Sequence, residues 1–317
     1  MHAVTIVDGE LEWREHPDPT PGTGEVLVEV RAAGLNGADR LQLAGRYPAP
    51  PGAPADIPGL ELAGEVVALG PGATRFQVGN RVMAVVAGGG QAERAVVHER
   101  HLLPVPDGLG WAEAGAFPEV FTTAHDALFT QCGLQLGERV LVTGAAGGVG
   151  TAAVQLALAA GASVVASVRD EQRRSDLAAL VGADAPLTVV APEEATDAGP
   201  YDVVLELVGA PNLGDDLAAL AEGGRVSVIG VGAGAKAEVN LLVLMGKRAR
   251  IHGSTLRARS LEDKADAARR VERHVLPLLA AGRITVPVQA TFEMRAAVAA
   301  YAAFAAGGKL GKLVLVR

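Results

Sequence analysis

Two styles of hydrophobic patterning divide the chain. Up to about Trp111, short apolar runs give strand candidates at Ala3–Val7, Val26–Ala33, Glu65–Leu69, Arg81–Val86 and Ala92–His98. Between them lie Pro19-Thr20-Pro21-Gly22, Pro48–Pro54, Gly70-Pro71-Gly72 and Gly88-Gly89-Gly90, whose glycines and prolines favour turns. Closely spaced strands with that punctuation predict an antiparallel, barrel-like domain. Beyond Trp111 the rhythm changes to strands alternating with helical stretches. The strand candidates are Val140–Thr143, Val164–Val168, Leu187–Val190, Val203–Val208, Val226–Val231 and Arg250–Gly253. Continuous apolar runs of this kind suit a parallel sheet covered on both faces, so a doubly wound α/β domain is predicted. The last segment offers an amphipathic helix over Ser260–Ala281, a strand near Ala290–Phe292, a helix over Met294–Ala306 and a strand over Lys312–Val316. If that final strand pairs with the first domain, residues 1–115 and 282–317 form one domain and residues 116–281 are inserted as the other.

The segment Arg139–Asp170 carries the strongest chemical signal. It reads as strand, glycine turn, helix and strand, one βαβ unit. The turn Ala145-Ala146-Gly147-Gly148-Val149-Gly150 follows the dinucleotide pattern G-x-G-x-x-G with alanine in place of the first glycine. Gly147 lets the backbone approach a pyrophosphate, and Gly150 lets the helix pack closely on the strand. Free N–H groups and the helix dipole then face the phosphates. The second strand ends Ser167-Val168-Arg169, which puts a cation where many NAD sites carry an acidic residue. A 2′-phosphate requires that exchange, so NADPH is expected as the cofactor. Arg173 and Arg174, in the next helix, are alternatives to Arg169. Val208, at the end of its strand, and Gly230 and Val231, at the end of theirs, sit where ligands bind in open α/β sheets.

Composition narrows the class. With 317 residues, 49% hydrophobic and 20% charged, the chain is globular and long enough for two domains. A net charge of −8 argues against nucleic acid, which needs a basic face. The single Cys132 leaves no internal disulfide and suits a reducing compartment. The opening residues show no basic-then-apolar leader, and Ala296–Ala306 is too short to span a bilayer. A soluble cytoplasmic protein without a membrane association is expected.

At this point the chain resembles a known family. The barrel-like first domain, the AxxGGVG turn and the closing GKLVL strand look like the medium-chain dehydrogenase/reductase superfamily. Within it the chain is similar to the zinc-free, zeta-crystallin-like quinone oxidoreductases, and it resembles most the branch of the p53-inducible quinone oxidoreductase. The matching segments include Leu35-Asn36-Gly37-Ala38-Asp39, Gly45-Arg46-Tyr47-Pro48, Pro58-Gly59-Leu60-Glu61, Pro118-Glu119, Gly144–Gly150, Ser254–Arg259 and Gly311-Lys312. The resemblance implies a GroES-like catalytic domain and a Rossmann domain. It also implies departures: Asn36 and Leu60 stand where zinc-dependent relatives place a cysteine and a histidine, so no catalytic metal is expected.

Without a Lewis acid the substrate must accept hydride readily, as quinones and activated alkenes do. The resemblance implies hydride transfer from NADPH to a quinone, with an enone, alkenal or enoyl-thioester reductase as the alternative. Asn36 is expected to donate through its amide to a substrate carbonyl or a ribose hydroxyl, and Tyr47 to donate a proton. Leu256, Arg257 and Lys312 match regions near the cofactor in relatives. Asp39 and Arg40 read as a solvated or salt-bridged helix start, Gln91 as a polar contact to the pocket, and Glu119 and Phe121 as linings of a cleft between the domains. Arg46, Arg257 and Arg259 would form a basic entrance for a coenzyme A substrate. A homodimer or homotetramer is expected, joined through the edge segment Arg248–Thr255.

Overall fold

A computed structural model describes all residues 1–317. The chain divides into two compact units. The first comprises Met1–Thr122, Leu256–Gly307 and Lys312–Arg317; the second comprises Thr123–Thr255 and Gly308–Gly311. The second unit is therefore inserted into the first, but its boundaries differ from the expected ones. The helix Leu261–His274 belongs to the first unit. Its buried stripe Ala265, Ala267, Ala268 and Val271 announces amphipathicity, a pattern that does not say which sheet the helix will cover.

In the first unit the strands Val288–Glu293, Lys312–Val316, Glu25–Gly34, Glu61–Leu69, Arg81–Val85 and Leu102–Pro104 lie side by side in that order, and Arg94–His98 also pairs with Glu25–Gly34. Pairing is antiparallel except between Val288–Glu293 and Lys312–Val316. Burial alternates along Glu25–Val30, so Val26, Val28 and Val30 join Leu62, Val66, Val82 and Leu102 in one apolar core. The final strand pairs antiparallel with the end of Glu25–Gly34, Val314 opposite Gly34. That register brings Lys312 toward Leu35 and Asn36.

In the second unit six strands run parallel in the order Leu187–Val190, Ser163–Ser167, Arg139–Val142, Tyr201–Glu206, Leu220–Val228 and Arg250–Gly253. The central strands are buried on both faces, and Leu141, Val165, Val204 and Val226 form the core. Because all six point the same way, Thr143, Val168, Leu207 and Ile229 follow the strands at one edge of the sheet. No helix is long and apolar enough to cross a membrane.

Candidate active site and nucleotide turn

In the second unit the strand Arg139–Val142 feeds the turn into the helix Gly148–Ala159, whose N-cap is Gly147. The first helical hydrogen bond runs from the Thr151 N–H to the Gly147 carbonyl at 2.8 Å. Gly147 supplies no capping side chain, so the N–H groups of Gly148, Val149 and Gly150 have no partner within the helix. A Cβ on Gly150 would lie 2.6 Å from Ala145 Cα, whereas a Cβ on Gly147 would meet nothing nearer than the Gly144 carbonyl at 3.4 Å. Packing alone therefore demands glycine at 150. At 147 the open space above the donors is what a dinucleotide pyrophosphate needs, and the turn fits that group.

Neighbouring loops complete the edge. Ala146 accepts from the Gly311 N–H at 2.8 Å, so the short segment Gly308–Gly311 backs the turn. Glu206 Oε1 accepts from the N–H of Val208 (2.5 Å) and Gly209 (2.6 Å), fixing the loop after its strand. A Cβ on Gly230 would fall 2.0 Å from the Leu207 carbonyl, which requires glycine where the two loops touch. Val231, beside it, is exposed. Ser167 is buried, and its carbonyl holds the Ala145 N–H at 3.1 Å. Three arginines follow. Arg173 is committed to the Gly308 carbonyl (2.8 Å) and to Asp176 (2.6 Å), and Arg174 to the carbonyls of Val168 and Arg169. The Arg169 guanidinium is exposed and has no partner in the chain.

In the first unit a polar cluster sits within the apolar core. Lys312 Nζ donates to Leu35 O (2.7 Å), Asn36 Oδ1 (2.7 Å) and Glu61 Oε1 (2.5 Å). The Asn36 amide donates to Glu61 Oε1 at 2.9 Å and to the Gly34 carbonyl at 3.3 Å. Asp39 caps the helix Gly37–Leu43 by accepting the Asn36 N–H at 2.8 Å, and also takes the Gly59 N–H at 3.2 Å. A chain of contacts then runs from Asp39 to Gln91 Nε2 (3.4 Å) and from Gln91 Oε1 to the Tyr301 hydroxyl (3.0 Å). Burial raises the Asp39 carboxyl to about 7, with Lys312 pulling it down and Glu61 pushing it up.

Arg257, also buried, ties the loop Gln42–Pro48 in place. It donates to Ala87 O (2.7 Å), Tyr47 O (2.8 Å), Pro48 O (3.4 Å) and Gln42 Oε1 (2.6 Å), and its guanidinium lies 5.1 Å from the centre of the Tyr47 ring. The Tyr47 hydroxyl is left without a partner. Glu119, at the start of the helix Pro118–His125, gives its N–H to Glu61 Oε2 at 2.9 Å. Its own Oε2 is shielded from solvent with no hydrogen bond.

The zinc-binding dehydrogenase family model matches residues 148–273, and the alcohol dehydrogenase GroES-like domain model matches residues 22–131. The acryloyl-coenzyme A reductase of Metallosphaera sedula is 33% identical over 99% of each chain. A crystal structure of the quinone oxidoreductase from Thermus thermophilus, determined also with NADPH, is 34% identical with a TM-score of 0.83, both chains covered in full. The chain belongs to the medium-chain dehydrogenase/reductase superfamily. Its first unit is the GroES-like domain and its second the Rossmann-type domain of these oxidoreductases. It is also 37% identical, over 93% of its length, to the erythronolide synthase EryA2 of Saccharopolyspora erythraea, of which it spans 8%.

Several expectations need correction within the superfamily frame. Lys312, expected near the cofactor, has all three of its N–H donors spent inside the first unit. Asn36 has no free amide hydrogen, since both are used; a second lone pair on Oδ1 is what it can offer an outside donor. Leu256, expected near the cofactor, is buried and lines a small cavity with Val85, Leu103 and Lys264. Arg173 is already paired. Arg257 is engaged internally, so it cannot serve a basic entrance. Asp39 is buried where a solvated or salt-bridged helix start was expected, Gln91 is wholly buried, and Phe121 stacks on Phe117 at 4.6 Å in the interior. Leu60 is buried and carries no metal-binding atom, and no three His, Cys, Asp or Glu side chains are grouped so as to hold a metal ion. These residues do not fit a catalytic zinc.

Glu61 and Gly311 lie in segments that carry the family resemblance, but the sequence assigns no part in a site to them, to Tyr301, to the shielded oxygen of Glu119 or to the rest of Gly308–Gly311. The polar residues of Pro118-Glu119 and Leu60-Glu61 sit among apolar neighbours on both sides, a signal of burial that local pattern carried and the reading did not use.

Proposed function

We propose that the chain is an NADPH-dependent quinone reductase that works without a metal. The observation that carries this reading is the Lys312 ammonium seated among Leu35, Asn36 and Glu61. A cation already satisfies the acceptors at positions that match the zinc-ligand segments of relatives, and with no Lewis acid the substrate must be one that takes hydride readily. Quinones meet that condition. The similarity to a quinone oxidoreductase crystallised with NADPH supports it.

The cofactor, when bound, supplies the hydride from its reduced nicotinamide. The N–H groups of Gly148, Val149 and Gly150 would hold its pyrophosphate, with Ala146 and Gly147 shaping the turn and Val208, Gly230 and Val231 flanking it. Arg169 is the arginine with donors to spare for a 2′-phosphate, and a guanidinium suits that group. Tyr47 holds a proton on an unpartnered hydroxyl. Burial and the nearby Glu119 charge raise its pKa above the ordinary phenol value, with Arg257 opposing, so it stays protonated at neutral pH and can donate.

A second reading is favoured by that same free hydroxyl and by the likeness to acryloyl-coenzyme A reductase. Reduction of an enone or enoyl thioester needs a proton placed on carbon, which a positioned phenol provides. The deciding experiment follows NADPH oxidation with 1,4-benzoquinone, an enone and a crotonyl thioester, in wild type and Tyr47→Phe. Quinone turnover is expected in the wild type, with kcat/KM lowered roughly 100-fold by the substitution. Thioester turnover without quinone turnover selects the second reading, and an unchanged Tyr47→Phe removes the phenol from either.

A further inference from the structure

We propose that Arg257 is the positioning residue for Tyr47: its guanidinium aims the phenol and braces the phenolate left when the proton has gone. The inference deepens the reductase reading above and rests on it, since Tyr47 is the proton donor there.

Little else fixes the phenol. Its hydroxyl makes no hydrogen bond, and the Tyr47 N–H meets the Leu41 carbonyl at 3.2 Å. The chain that follows is poor in donors, because Pro48, Pro50, Pro51 and Pro54 have no N–H. Within residues 48–55 the backbone makes one hydrogen bond to itself, from the Ala53 N–H to the Pro50 carbonyl at 3.1 Å. A segment so sparsely bonded opens locally at low cost. A proton donor displaced by about 1 Å forfeits much of its effect on rate.

Arg257 supplies the missing restraint. Its Nη1 donates to the carbonyls of Tyr47 (2.8 Å) and Pro48 (3.4 Å), and its Nη2 to Gln42 Oε1 at 2.6 Å. Its Nε donates to the Ala87 carbonyl at 2.7 Å, just past the strand Arg81–Val85. Gln42 passes the restraint on, since its amide nitrogen holds the Ala55 carbonyl at 3.1 Å. Both ends of the segment from Tyr47 to Ala55 therefore hang on one side chain. The central carbon of the same guanidinium stands over the Tyr47 ring, 5.1 Å from its centre.

The choice of residue points the same way. Arg257 is buried, yet its four hydrogen bonds all go to neutral acceptors, three carbonyls and an amide. A buried cation with no carboxylate in hydrogen-bond contact is a costly way to pin a loop. What the charge adds is its action on the ring. A cation over an aromatic face attracts it, and does so more strongly once the ring carries a negative charge. The acidity of Tyr47 has the matching sign: burial and the Glu119 charge raise it, and Arg257 opposes them. In the transfer the Tyr47 O–H bond breaks and the proton joins the acceptor, which has gained hydride from the reduced nicotinamide. The electron pair stays on the phenolate oxygen until water returns a proton.

A double-mutant cycle on the intact chain tests the assignment. Steady-state kcat and KM with 1,4-benzoquinone and with an enone, and NADPH binding by nicotinamide fluorescence, are measured in wild type, Arg257→Met, Arg257→Lys, Tyr47→Phe and each Arg257 variant combined with Tyr47→Phe. Arg257→Met is expected to lower kcat roughly 10- to 100-fold with NADPH binding unchanged. Arg257→Lys keeps the charge without the planar fork and should lose about 3- to 10-fold. With Tyr47→Phe already in place, neither should cost more than about twofold. Equal losses in the two backgrounds, or wild-type kcat in Arg257→Met, overturn the proposal and leave the reductase reading intact. Weaker NADPH binding at unchanged kcat also overturns it and makes Arg257 a cofactor contact. A wild type that turns over neither acceptor, or an unchanged Tyr47→Phe, overturns the donor reading and the proposal with it. Should Arg257→Met fail to fold, the Arg257→Lys cycle decides: wild-type rates in Arg257→Lys, or a loss that persists beside Tyr47→Phe, refute the assignment.

Discussion

Lys312 and Glu61 are both almost wholly buried, with side-chain exposures of 4% and 0%. Removing one partner of such a pair leaves an uncompensated charge in the interior, which costs about 3–5 kcal/mol. Lys312→Met is therefore expected to lower the free energy of unfolding by that amount in urea titration, and a loss below about 1 kcal/mol would contradict the buried pair. Little of this cluster was legible in the sequence. Asn36, Tyr47 and Lys312 stand out through family resemblance, but their partners come from segments distant along the chain. Asp39 reads as a solvated helix start because only Arg40 and Gly37 are in view; Gly59 and Gln91, which bury it, arrive through the fold. The donors Lys312 and Asn36 read as contacts to outside ligands for the same reason. A residue type announces what it can donate, whereas tertiary contacts decide whether the donor is still free.

The loop after the strand Tyr201–Glu206 is held by a second acidic arrangement. Glu206 is buried and accepts from Val208, Gly209 and Asn212. Asp216, in the following helix, is raised to about 9 by burial and by the Glu206 carboxyl beside it. A group with a raised folded pKa contributes stability that is full below its unfolded value near 4 and is lost as pH rises toward the folded value. Asp216→Asn removes that proton uptake, so denaturation midpoints are expected to decline less between pH 7 and pH 9 than in the wild type. Parallel decline in the two proteins would contradict the arrangement. The strands themselves were largely readable, Arg250–Gly253 and Lys312–Val316 to the residue, because continuous apolar runs and alternation report burial directly. Others were not, and two of them show why. The strand Glu10–Glu15 is mostly charged, yet it pairs with His2–Val7 across Asp8 and Gly9, both at positive φ; the Asp-Gly dipeptide was the available signal. The helix expected over Ser260–Ala281 breaks at Val275, between Leu261–His274 and Leu276–Ala280. Pro277 explains the break, since it cannot donate into a continuing helix.

The strand Arg250–Gly253 is an edge of the six-stranded sheet and lies largely exposed, with Ile251 on it. Leu241, Leu242 and Met245 in the preceding helix are 65–78% exposed. An unpaired edge strand and exposed apolar side chains in one unit favour self-association. Light scattering is expected to give at least twice the 32.3 kDa chain mass, and a monomer mass at micromolar concentration would contradict that expectation. The central claim concerns chemistry, and it is most directly tested by steady-state oxidation of NADPH and NADH with 1,4-benzoquinone in wild type and Arg169→Ala. NADPH is expected to be preferred by the wild type, and the preference to collapse in the variant through a higher KM for NADPH with little change for NADH. Equal use of both nucleotides by the wild type, or a preference that survives Arg169→Ala, would contradict it.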